Sequence, residues 1–132
     1  MARILIADDE ESVRLFLERA LSLQGHDVSS ASDGSAALAA LAETRFDLLL
    51  TDIVMPVMDG IALALKASSE QPDLVILMMT GYAAEQQRAH NLDALIHGVI
   101  MKPFSMDQIR AAIDGALYPP RGPADPARSK PA

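Results

Sequence analysis

The chain contains no cysteine, so it has neither a disulfide framework nor a thiolate metal site, in keeping with a reducing cytosol. No cluster of lysine and arginine stands out along it, and the formal net charge is −7 at pH 7. Attraction to phosphate backbones or anionic lipid is therefore disfavoured, and no nucleic acid and no membrane is expected as a direct partner. Long hydrophobic runs are missing too. Ile4, Leu5, Ile6 and Ala7 are stopped by Asp8, Asp9, Glu10 and Glu11, far short of a signal-peptide core or a membrane span, and a cytoplasmic location is expected. There is no Gly-rich nucleotide-binding loop and no internal repeat. The same acidic run argues against the hydroxyl-rich phosphate loop that an FMN carrier needs at this point.

What is present is 132 residues, half of them apolar, which suffices for one compact domain with a real core. Five short apolar runs read as strands: Arg3 to Ala7, Asp27 to Ala31, Asp47 to Thr51, Leu74 to Thr80 and Val99 to Met101. Several are continuous rather than alternating, as in parallel strands covered on both faces. Between them lie helical stretches. Val13, Phe16, Leu17, Ala20 and Leu21 form one apolar stripe, and Ile109, Ala112, Ile113, Ala116 and Leu117 another. Gly34 to Glu43 and Met58 to Glu70 are further helices, while Ala84 to Ile96 is the weakest, its apolar face diluted by Gln86, Gln87, His90 and Asn91. Ser105 and Gln108 form a capping-box pattern that starts the last helix. Strand and helix alternate five times, which predicts an α/β fold with a doubly wound five-stranded parallel sheet over residues 1–117. From residue 118 to 132 five prolines fall in fifteen residues, and a Pro-rich disordered tail is expected. Arg121, Arg128 and Lys130 against Asp125 leave this tail at +2, so the first 117 residues carry −9.

In such a sheet ligands bind at the carboxyl ends of the strands. The residues found where the runs stop are Asp8 and Asp9, Asp52, Thr80, and Lys102 before Pro103. Three carboxylates on one rim repel one another, and a hard dication relieves this. Mg2+ suits the set, since it takes one or two carboxylates and a phosphate oxygen and keeps several waters. An ionised carboxylate is a competent nucleophile for phosphorus, Lys102 supplies a point charge and Thr80 a neutral donor for phosphoryl oxygens. Each motif alone is ordinary: Asp-Asp can be an acidic helix start, Asp59-Gly60 a turn, and Lys-Pro a helix entry.

Taken together, IADD, LLLTDIVMPVMDG, ILMMTG and IMKPF, in this order and spacing over about residues 2 to 117, resemble the receiver domains of two-component signalling. The resemblance implies a flavodoxin-like (CheY-like) fold with strand order 2-1-3-4-5. It implies that Asp52 is the phosphoacceptor, that Asp9, Asp52 and the backbone carbonyl of Val54 bind Mg2+ directly, that Asp8 helps through water, and that Thr80 and Lys102 contact the phosphoryl group. The donor would be a histidine kinase or histidine phosphotransferase. The DIVMP-MDG block and the TGYAAE stretch most resemble the CpdR-type regulators of alphaproteobacteria, which act on the ClpXP protease, so a ClpX-type component is the implied downstream partner. No output domain follows residue 117, and the switched surface itself is expected to be the output. The competing class is an aspartyl-phosphate phosphohydrolase, which would want an Asp where Val54 stands and its nucleophile after the first strand.

The pattern departs from many receivers at Val99, where an aromatic that turns inward is usual; Tyr82 is the nearest candidate to replace it. Val54 and Tyr82 occupy positions that govern water access in the family, and neither orients water, so slow self-dephosphorylation is expected. Met78, Met79 and Met101 are read as core, and Met55 and Met58 as candidates for partner contact near the rim. His26, His90 and His97 lack metal-ligand spacing and are assigned no role.

Overall fold

The computed structural model describes residues 2–118 except Asn91 and Asp93. The expected Pro-rich tail therefore lies outside the described residues beyond Tyr118. Ten elements alternate: β1 (Arg3–Ala7), α1 (Glu11–Leu23), β2 (Asp27–Ala31), α2 (Gly34–Glu43), β3 (Leu48–Asp52), α3 (Gly60–Glu70), β4 (Val75–Thr80), α4 (Ala83–His90), β5 (Gly98–Met101) and α5 (Met106–Leu117). The five strands form one parallel sheet, as the alternation of elements predicts, in the order β2-β1-β3-β4-β5 that the resemblance implies.

The continuous apolar runs are explained by burial on both faces. Alternate residues of each strand enter opposite layers. Ile4, Ile6, Leu48, Leu50, Leu77 and Met79 pack with Leu17, Leu21, Ile109 and Ile113 of α1 and α5. Leu5, Ala7, Leu49, Ile76 and Met78 pack with Ala37, Leu41, Leu63, Ala64 and Ala67 of α2 and α3. Fully burying one such Leu or Ile side chain contributes about 1.5–3 kcal/mol.

Helix starts follow local chemistry. Asp33 and Asp59 cap α2 and α3 by accepting from Ala36 N and Ala62 N, each at 2.8 Å. The α5 capping box is complete, with Ser105 and Gln108 bonding each other's main chain. At Gly60 an added Cβ would sit 2.1 Å from the Asp52 carbonyl oxygen, so glycine is what allows α3 to begin against the end of β3.

Several expectations are corrected. The fourth helix stops at His90 rather than running to Ile96, because Leu92, Leu95 and Ile96 close turns by hydrogen bonds to Ala89 and Leu92. Phe16 is 37% exposed and does not join the core stripe; its ring meets Phe104 at a centroid distance of 6.3 Å. Met101 lies on the edge strand and is exposed. Met55 is buried in the core and so offers no partner surface, whereas Met58 is half-buried and packs against that core. His26 and His97, assigned no role, each accept a main-chain bond at 3.1 Å, from Ala2 N and Ile76 N, where β1 and β4 begin.

Candidate functional site

Asp8, Thr51, Asp52 and Thr80 are the buried polar residues among those described, and all four lie at the carboxyl ends of β1, β3 and β4. Asp9 follows Asp8 on the exposed side of the turn. Carboxylate oxygens of Asp8, Asp9 and Asp52 all lie within 4.8 Å of one another. Val54 lines the same cavity of about 400 Å3 as Asp9, Glu10, Asp52, Gly81, Tyr82 and Lys102.

Lys102, just past β5, reaches over β4 to this cluster. Its Nζ lies 2.8 Å from Asp8, 3.4 Å from Asp52 and 4.0 Å from Glu10. Burial pushes its ammonium down, but the bond to Asp8 and the charge of Asp52 outweigh this and raise it. Burial pushes the Asp52 carboxyl up from 3.8 to about 6, opposed by Lys102 and reinforced by Asp8 and Asp9. The cluster is thus an acidic site held by one cation, with the central carboxyl bearing the unrelieved cost of burial.

Asp8 is fully enclosed and satisfied: one oxygen takes Lys102 and the other accepts from Glu10 N at 2.9 Å. The Thr80 hydroxyl is tied to Tyr82, accepting from its N–H at 3.1 Å and donating to its carbonyl at 3.4 Å. The Tyr82 ring is 65% exposed and Val99 is half-buried, so neither occupies the position of an inward-turned aromatic. In the segment between β3 and α3, Val57 adopts φ 72° with its side chain 83% exposed, a left-handed conformation that a β-branched residue resists.

Of the five rim side chains singled out from the sequence, those of Asp8, Asp9, Asp52 and Lys102 come together here, while Thr80 ends the adjoining β4 with its hydroxyl held by Tyr82. Three further long-reach contacts had no signal in the sequence, in contrast to the i,i+3 pair of Glu85 and Arg88. Arg14 donates to the Asp8 carbonyl at 2.7 Å, Glu10 stands near Lys102, and Arg88 of α4 bridges Glu85 at 2.5 Å and Asp59 at 3.3 Å. Side-chain contacts across 6, 92 and 29 residues leave no periodic trace. An apolar groove of about 430 Å3, lined by Val13, Phe16, Pro103 and Phe104, opens beside Lys102.

The profile of the response regulator receiver domain family matches residues 4–114. The chain belongs to this family. CpdR, a response regulator receiver protein of Brucella abortus, is 41% identical over 117 residues, spanning 89% of this chain and 98% of CpdR. The response regulator MprA of a Mycobacterium species is 36% identical over 128 residues, 95% of this chain but only 56% of MprA. Among solved structures, a CheY-like receiver domain protein of Methanospirillum hungatei superimposes with a TM-score of 0.83 at 32% identity, covering 89% of this chain and 94% of that one. TrrA of Thermotoga maritima, solved with Mg2+ and BeF, gives 0.79 at 27% identity, covering 89% and 100%. The receiver reading and the CheY-like fold are thereby established. The receiver is a signalling module rather than a metabolic enzyme, and no helix among the described residues is long and apolar enough to cross a membrane.

Proposed function

We propose that this receiver is switched by transfer of a phosphoryl group to Asp52, from the phosphohistidine of a histidine kinase or histidine phosphotransferase. The single observation that carries this is the gathering of the Asp8 and Asp9 carboxylates and the Lys102 ammonium around the buried Asp52 carboxylate. The donor set fits a hard dication: Asp9, Asp52 and the Val54 carbonyl would hold Mg2+, with Asp8 acting through water. When bound, the ion would neutralise carboxylate charge and engage a phosphoryl oxygen.

An oxygen of ionised Asp52 attacks phosphorus, a P–O bond forms as the P–N bond breaks, and the electron pair stays on the departing imidazole nitrogen. Lys102 exchanges its contacts with Asp8 and Asp52 for a phosphoryl oxygen. The Thr80 hydroxyl turns from the Tyr82 carbonyl to donate to another. This leaves the Tyr82 carbonyl at the start of α4 without its donor, and movement of the hydroxyl oxygen toward the phosphoryl group also releases the Tyr82 N–H, which carries the event to the surface. The likeness to CpdR supports a ClpX-type protease component as the downstream partner.

Incubation with a small phosphodonor and Mg2+ should add one phosphoryl group per wild-type chain and none to Asp52→Ala. Multiple turnover of a phosphomonoester would instead favour a phosphohydrolase. Pull-downs with the two forms identify the partner and the direction of the switch. Val54 and Tyr82 flank the acceptor without a group that orients water, so loss of the phosphoryl group should be slow. Val54→Asn should accelerate it several-fold, and an unchanged decay rate would refute this account.

A further inference from the structure

Asp9 is exposed, and among the described residues its carboxylate takes part in no hydrogen bond or ion pair, although the proposed ion-binding geometry depends on where it points. Its position must therefore come from the main chain. The last ladder bond on this side runs from Asp8 N to Ala31 O at 3.2 Å, and the peptide joining Asp8 to Asp9 lies beyond it. That peptide is held by Arg14. Its Nη1 donates to the Asp8 carbonyl at 2.7 Å, a short charge-assisted bond, while the Arg14 main chain closes the first turn of α1 on Glu10 O at 3.1 Å.

The choice of partner is informative. Four carboxylates, those of Asp8, Asp9, Glu10 and Glu11, lie within the same turn, yet the guanidinium takes a neutral carbonyl. A positive group beside a cation site also opposes the cation by simple charge. Neutralisation therefore does not account for Arg14, whereas fixing the plane of the Asp8–Asp9 peptide does.

We propose that Arg14 is a positioning residue for the metal ligand Asp9, acting through the main-chain carbonyl of Asp8. This rests on the metal site proposed above, and the two fail separately. Mg2+ affinity is measured by titration calorimetry on the unphosphorylated full chain. Arg14→Met keeps the aliphatic stem and removes the donors, and it should weaken Mg2+ binding about tenfold, as expected when a group orienting a ligand is lost. Arg14→Lys restores one donor at similar reach and should return affinity to within about threefold of wild type.

A pure charge effect has the opposite sign, because removing a cation would tighten Mg2+ binding. Unchanged or tighter binding by a folded Arg14→Met variant overturns the proposal, as does a lowered melting temperature with wild-type affinity, which marks a merely structural role. If that variant does not fold, Arg14→Ala is read against the same criteria, and failure of Arg14→Lys to restore affinity also overturns it. Asp9→Asn separates the two readings: wild-type affinity there removes the metal site itself, whereas weak binding there beside normal binding in Arg14→Met removes only the role of Arg14.

Discussion

At Asp52 the cost of burial and the role proposed for it meet in one carboxyl group. Because this carboxyl is pushed up to about 6 in the folded chain from an ordinary 3.8, the folded state holds its proton more tightly than the unfolded state between these values. Stability contributed at this position is therefore greatest below about pH 4 and is lost as pH rises through about 6. Asp52→Asn removes the titration while keeping the shape. Without metal, the variant should gain stability relative to wild type between pH 4 and pH 7, on the order of 2–3 kcal/mol. Chemical denaturation at the two pH values measures this, and a pH-independent difference would contradict it. Val57 presents a separate, uncompensated strain, with φ 72° and an exposed side chain. Val57→Gly should stabilise the chain by roughly 0.5–1 kcal/mol, the left-handed penalty less the flexibility glycine adds to the unfolded chain.

Among the elements, α4 is the least secured. It has eight residues, buries only Ala89, and its start depends on the Thr80–Tyr82 bonds. Its other polar tie is Arg88, which reaches Asp59 while the second oxygen of Asp59 caps α3. Exposed ion pairs of this kind stabilise by about 0–1 kcal/mol. Arg88→Ala should accordingly raise amide exchange in residues 83–90 two- to five-fold in the unphosphorylated protein and leave β1 and β3 unaffected. Equal exchange across α4 would mean that the tie holds nothing. This helix was also the least legible in the sequence, and for the same reason: Gln86, Gln87 and His90 interrupt its apolar face, so turns and tertiary contacts set its end. By contrast, β1, β2 and α2 were read with their observed bounds, because polar or glycine breaks flank these segments locally. Phe16 and Met55 were misplaced because the period of a helix or a loop does not say where the chain folds back.

For the molecule as a whole, a parallel sheet brings every strand's carboxyl end to one rim, which is why Asp8, Asp9, Asp52 and Lys102, scattered along the chain, were legible as one cluster. The contacts of Arg14 and Arg88 were not, since they depend on side-chain reach. With the first 117 residues at −9 and three of the carboxylates packed together, a bound dication should stabilise the entire fold. Magnesium at about a hundred times its dissociation constant corresponds to about 2.7 kcal/mol, which raises the melting temperature by roughly 10 °C in a domain of this size. Asp9→Asn should lose most of that shift. A rise no greater than sodium chloride produces at matched ionic strength would count against the site.

The reach of Lys102 across β4 has a mechanical meaning as well. One ammonium fastens the outermost strand to the middle of the sheet, spanning 94 residues of chain to Asp8. Whatever draws that ammonium away from Asp8 also slackens a seam at the molecule's margin, so a reaction confined to a few atoms at the centre can be felt as looseness on the far flank.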